Sequence, residues 1–245
     1  MVSGETDILR TGEAGGRVIR GGALRALGYA AGIVLGAGTS VLLLRHLGVE
    51  DFGRYGIVVA LIGIVSAVTD AGLTAVGSRE LAVLQPSQRP ELLRSLVGLR
   101  IVLTAGGVVL ATAFAALAGY PGVVVAGTAL AGLGVLLLNT QSTLMMPLAI
   151  ELRYGAITFV ETLRHALTLA GVALLVLAGA SLFAFFTLPI AVGLVSLALT
   201  PFLLAGIRSM APLLDRATAF SLLRESLPLA AAIAMNVVYL RLLVL

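Results

Sequence analysis

Ionisable side chains are missing from two long stretches of this chain. Ile101 to Ile150 runs fifty residues without Asp, Glu, Lys, Arg or His, and Ala166 to Ile207 runs forty-two. Each is about twice the roughly 20 apolar residues that cross a bilayer as one helix. Each also carries a turn signal near its middle, GYPG at Gly119–Gly122 and GAS at Gly179–Ser181. Each therefore predicts two membrane-spanning helices joined by a very short uncharged hairpin. The apolar pattern elsewhere adds a first span over Gly22–Leu44 and a second over Tyr55–Val76. The paired runs supply spans over Leu99–Ala118, Val123–Met145, Thr158–Leu177 and Leu182–Leu204. Pro228 then opens a seventh helix from Leu229. The expected fold is an all-α polytopic membrane protein with six transmembrane helices and the start of a seventh. Residues 1–20 read as a polar cytoplasmic tail, 21–207 as the six-helix unit, 208–228 as a cytoplasmic linker and 229–245 as a truncated seventh helix.

Composition agrees and removes whole classes. The chain is 59% hydrophobic and 11% charged, with a mean hydropathy of +1.09. A soluble domain of this length needs more polar surface than that. The first twenty residues are too polar to start a signal peptide. Cysteine is absent, which excludes disulfides, thiolate metal sites and a Cys nucleophile. A pI near 10.1 would point to nucleic acid in a soluble protein, but here the arginines sit at helix ends and in loops, so a bilayer and no nucleic acid is expected.

Arginine placement predicts orientation. All sixteen basic residues are arginines. Thirteen fall before the first span or between spans two and three, four and five, and six and seven. Only Arg45 and Arg54 lie on the other side, and Arg241 lies inside the seventh span. The positive-inside rule places the amino terminus in the cytoplasm of a cell-membrane protein.

Charges at membrane depth cost several kcal/mol, so they face a partner or a cavity. Asp70, inside the second span, reads as an ion pair with Arg25, as a cap near the interface, or as a proton or sodium site. Glu161, Arg164 and His165 share one helix face at the start of the fifth span. They read either as the lining of a cytoplasm-facing cavity or as local pairs. Arg241, beside Asn236 and Tyr239, wants an anion from elsewhere, an acidic side chain or a ligand phosphate. Gly28, Gly32 and Gly36 lie four apart and predict a close helix–helix seam. Within the fifty-residue stretch only Asn139, Gln141 and small hydroxyls are polar. No phosphate loop, HExxH or GxSxG context is present, so neither an enzyme nor a cofactor or metal is expected.

Three elements in order carry a resemblance: LGVEDFGRYG at Leu47–Gly56, Asp70-Ala-Gly-Leu73, and Ser78-Arg79-Glu80. Together they resemble the amino-terminal region of bacterial polysaccharide flippases. These belong to the superfamily that also holds multidrug and toxic-compound extrusion transporters and lipid II flippases. RESLP at Arg224–Pro228 is similar to that family's entry into its second half. The resemblance implies the amino-terminal lobe of a two-lobe, twelve- to fourteen-helix transporter working by alternating access. It implies flipping of isoprenoid-diphosphate-linked oligosaccharides for cell-surface or exopolysaccharide assembly, beside the pathway's polymerase and glycosyltransferases. A lipid-linked diphosphate needs an arginine-lined pocket, and Arg25, Arg54, Arg100, Arg164 and Arg241 are the candidates, with Asp70 and Glu161 structural or ion-coupling. Two departures stand out. YLRLLVL at Tyr239–Leu245 lacks the acidic residue of the family's YxRxD-like setting, and the chain stops inside the seventh span, as a fragment would. Ion-coupled drug export, a non-transporting scaffold or half-transporter, and more distantly an intramembrane glycosyltransferase are the alternatives.

Overall fold

Among the described residues the chain is helical, with no strand. The structure is a computed structural model that describes residues 12–70, 72–85 and 87–204, with side chains from residue 22, and the isolated positions Leu213, Leu222 and Arg224. Its helices are α1 (Gly12–Asp70), α2 (Leu73–Val83), α3 (Arg89–Leu117), α4 (Gly122–Leu144), α5 (Met146–Ile150), α6 (Tyr154–Leu177) and α7 (Leu182–Leu203). Among the described residues five stretches are long and apolar enough to cross a membrane: Gly22–Val83, Arg89–Leu117, Gly122–Ile150, Tyr154–Leu177 and Leu182–Leu203. Their outward faces are apolar as well. Leu27, Val34, Val109, Leu110, Phe114 and Leu174 are all exposed, which suits lipid rather than water.

The first two expected spans share α1. A straight helix of 59 residues would be about 90 Å long, three times a bilayer core. α1 is broken instead at Gly48 (φ 73°, ψ 178°), a backbone region that is essentially glycine's own. Beyond the break the chain reverses. Arg25 and Thr74 line one cavity, although 49 residues of straight helix would separate them by roughly 70 Å. The earlier segment of α1 lies on α6, where Gly28 faces Thr158 and Gly32 faces the His165 ring. The later segment lies on α3 and α4, with Gly107 against Val65 and Ser66 against Asn139. The expected glycine seam is therefore present at Gly28 and Gly32, while a Cβ at Gly36 would meet nothing within 4 Å.

Both hairpins close in the same way. Gly119 (φ 75°) and Gly179 (φ 65°) end α3 and α6 in the left-handed conformation. In each, the following N–H reaches back five residues, Tyr120 to the Ala115 carbonyl (3.1 Å) and Ala180 to the Leu175 carbonyl (2.9 Å). These bonds satisfy carbonyls that the helix end would otherwise leave bare. Gly48 and the second hairpin share one end of the bundle, where His46 Nε2 lies 2.8 Å from the Ala180 carbonyl and the Tyr55 and Phe186 rings stack at 5.9 Å.

Four expected boundaries change, one of them the start of α6 at Tyr154 rather than Thr158. The helix of the second span stops at Asp70, and α2 is a separate element over Leu73–Val83 that holds the Arg79–Glu80 pair (3.0 Å). α3 starts at Arg89, ten residues before the expected Leu99, because Leu93, Leu96 and Val97 are buried against α2 and α5. The tail expected over 1–20 is helical from Gly12. The seventh span and most of the 208–228 linker lie outside the described residues, though the Leu213 N–H bonds the Arg94 carbonyl (3.2 Å).

Glycine also sets the α4–α7 seam. A Cβ at Gly134 would lie 2.6 Å from the Pro189 carbonyl carbon, and backbone cannot yield as a side chain can. We predict that Gly134→Ala costs about 1–3 kcal/mol by overpacking. Gly48→Ala has open space yet forces a side chain into a forbidden backbone region, at a cost of about 1–3 kcal/mol. Gly36→Ala is helical and unobstructed, so it is neutral or stabilising by up to about 1 kcal/mol. Thermal melts in detergent rank the three, and a Gly134→Ala protein as stable as Gly36→Ala would remove the α4–α7 seam from the account.

Candidate functional site

The end of α1 is a local problem that α3 solves. Thr69 and Asp70 sit in the last turn, where carbonyls have no partner within the helix. Arg100, only 3% exposed, arrives there from α3. Its Nη1 donates to the Thr69 carbonyl (2.9 Å) and its Nη2 to Asp70 Oδ1 (2.5 Å). Thr74 Oγ1, from the start of α2, donates to the same Oδ1. A guanidinium at a helix C-terminus also meets the negative end of the helix dipole. Asp70 is thus an ion-pair partner, but of Arg100 rather than Arg25. The reason is topological: the earlier segment of α1 is held on α6, where Arg25 stands 5.6 Å over the Tyr154 ring.

A chain of neutral groups continues from this pair. Ser66 Oγ donates to Asn139 Oδ1 (3.2 Å), Asn139 Nδ2 to Thr104 Oγ1 (3.4 Å), Thr104 Oγ1 to Thr69 Oγ1 (3.5 Å), and Thr69 Oγ1 to the Val65 carbonyl (2.8 Å). Each hydroxyl donates toward the next group, so α1, α3 and α4 are tied by a series with one direction. Other buried threonines, 128, 143 and 200, bond the carbonyl four residues back. That is how a hydroxyl is accommodated where water is absent.

Beside this network lie two cavities. The first, about 150 Å³, is bordered by Arg25, Glu161, Arg164, Gln141, Thr74 and Ser78. The second, about 410 Å³, is bordered by Asp70, Arg100, Ser66, Asn139, Ser142 and Arg164. Arg164 and Ser142 belong to both linings. Among the described residues no carboxylate pairs with Arg25 or Arg164 within 4 Å, and Glu161 makes no ion pair either. The structure so brings together five expected residues: Arg25, Arg100, Arg164, Asp70 and Glu161. It does not bring Arg54 to them. Arg54 is held by Glu50 (2.6 Å) and Asp51 (2.7 Å) near the Gly48 break, about 24 Å of helix from Asp70. Arg241 lies outside the described residues. Gln141, Ser142, Thr74 and Ser78 were not expected as lining groups. An amide inside a charge-free run was the available signal for Gln141. Among the described residues no three His, Asp or Glu side chains are grouped to hold a metal ion.

Set against family models, curated proteins and solved structures, the chain matches none.

The Asp70–Arg100 pair is open to a stability test. Breaking a fully buried pair costs about 3–5 kcal/mol. Asp70 is 48% exposed, so for Asp70→Asn we predict about 2 kcal/mol, set by the guanidinium left buried without its carboxylate. Combined with Arg100→Leu, the losses should fall short of additive by about 1 kcal/mol or more, as for residues in contact. Additive losses in unfolding measurements would mean that the pair does not couple the two helices.

Proposed function

We propose that this chain flips isoprenoid-diphosphate-linked oligosaccharides across the cell membrane by alternating access, as the amino-terminal lobe of a transporter. The observation that carries the reading is the cavity edged by Arg25 and Arg164, two arginines without a carboxylate partner in an apolar bundle. Arg164, part-buried, and Arg25, exposed beside it, offer guanidinium groups to an anion, and a diphosphate head accepts several such bonds while its isoprenoid tail remains in lipid. The resemblance elements coincide with structural breaks: Leu47–Gly56 holds the reversal at Gly48, and Asp70–Leu73 holds the end of α1. An ion-coupled drug exporter would use a carboxylate without an ion-pair partner; Asp70 Oδ1 accepts from Arg100 and Thr74, which leaves Glu161 as the candidate for that second reading.

In this reading the two segments of α1 cross separately, which makes six crossings with α3, α4, α6 and α7. Gly48 and both hairpins face outward, and the amino terminus is cytoplasmic. The absence of cysteine makes single-cysteine labelling clean. A cysteine placed at Tyr120 should react with a membrane-impermeant thiol reagent in intact cells, and one at Gly12 only after lysis. The reverse pattern would overturn the orientation.

The function itself is tested in the host. Depletion of the gene should accumulate an isoprenoid-diphosphate oligosaccharide and reduce the surface polymer. Arg25→Ala and Arg164→Ala should each lower translocation about tenfold or more, the loss of one charge-assisted contact of about 1.5–3 kcal/mol. Arg54→Ala, which breaks only exposed local pairs, should be close to wild type. Unchanged glycolipids on depletion, with raised sensitivity to cationic drugs, would replace this reading with the exporter.

A further inference from the structure

The two cavities differ in chemistry, and the difference is informative. In the first, two arginines, Arg25 and Arg164, face one carboxylate, Glu161, and neither lies within ion-pair distance of it. In the second, Arg100 is already committed to Asp70 and the Thr69 carbonyl. What the second cavity offers a ligand is Ser66, Ser142 and the Asn139 amide, with the half-exposed carboxylate of Asp70 and, at the border with the first cavity, Arg164. Gly63, Ala67 and Leu138 complete its wall with apolar surface. Short hydroxyls, one amide and one carboxylate around apolar patches suit a polyol, whose hydroxyls donate and accept and whose ring faces are apolar. The volume of about 410 Å³ is within the range of small-molecule sites.

Arg164 and Ser142 border both spaces. A ligand that fills both must then join its anionic part to its polyol part across a single residue's reach. We propose that the pair of cavities forms one bipartite site for a phosphate bonded directly to a sugar: the first cavity takes the diphosphate and the second takes the first sugar of the oligosaccharide. The inference rests on the function proposed above and adds a specificity element to it. Asp70, besides pairing with Arg100, turns a carboxylate oxygen to the sugar as acceptor. It favours a neutral hydroxyl- or acetamido-bearing sugar over one carrying its own carboxylate.

Gly63 gives a steric test. A Cβ there meets no atom within 4 Å, so a larger side chain enters the second cavity without displacing the core. The probes are a short-chain isoprenyl diphosphate and the same compound carrying one neutral hexose on its diphosphate. They are titrated against the protein in lipid nanodiscs. The hexose compound should bind wild type about tenfold more tightly, the gain of one or two hydrogen bonds. Gly63→Leu should abolish that preference, and Arg164→Ala should weaken both compounds. Binding of the sugarless diphosphate by Gly63→Leu also reports that this variant is folded. A wild type without preference, or a preference that survives Gly63→Leu, would overturn the sugar site while leaving the diphosphate reading intact. If neither compound binds wild type, both fall.

Discussion

At Asp70 a helix ends, leaving the Thr69 carbonyl and a half-exposed carboxylate without partners inside the helix. One guanidinium meets both needs. Arg100 bonds the Thr69 carbonyl and Asp70 Oδ1, and so fixes where α1 stops, where α2 departs and how α3 passes them. Without that contact the chain would have two poor options: to continue the helix through Gly72, or to expose its last turn to lipid. The hydroxyl series through Thr104 and Asn139 extends the same constraint to α4. A membrane bundle gains little from burying Leu against Leu, since lipid is equally apolar. Polar contacts of this kind, with close glycine packing, are what distinguish one arrangement of helices from another.

The two ends of the bundle are consequently unlike. At the Gly48 end, short loops, ring stacking between Tyr55 and Phe186 and the contact of His46 with the Ala180 carbonyl close the helices together. At the other end, α2 and α5 intervene, and cavities open between α1, α4 and α6. Glycine contributes differently at the two seams. Between α4 and α7, Gly134 meets backbone and permits no added atom, whereas between the earlier α1 segment and α6, Gly28 and Gly32 meet the side chains of Thr158 and His165. The first is a rigid contact. The second has side-chain freedom, so it is the seam where displacement costs less.

Much of the fold was legible in the sequence. Charge-free runs bounded by left-handed glycines placed α4 and α7 to within a residue or two at each end, and gave the ends of α3 and α6 almost as closely. What escaped had physical causes. Arg89 and Arg94 read as loop, because apolar content rather than helical spacing defined the span. Leu93, Leu96, Val97 and Arg100 do recur at i, i+3, i+4 and i+7, and that spacing announced a buried helical face. The partner of Asp70 was harder. Arg25 and Arg100 are both plausible in depth, and only the course of α1 over α6 decides between them. The second cavity was not legible at all, because its walls come from four elements distant in sequence, with four residues of α1, three of α4 and one each of α3 and α6.

That decision bears on why Arg25 and Arg164 matter more than their number. An arginine near hydrocarbon is tolerated when something compensates it. Arg100 has a carboxylate and a carbonyl, and Arg54 has Glu50 and Asp51. Arg25, which is exposed, has the face of Tyr154, a contact of about 0.5–1 kcal/mol. Arg164 has less, and Glu161, one turn away, engages neither. Arg100 and Arg54 thus have carboxylate partners, whereas Arg25 and Arg164 at the cavity, like the exposed Arg45, have none among the described residues. An anionic ligand of the kind proposed above would supply the partner that Arg25 and Arg164 lack.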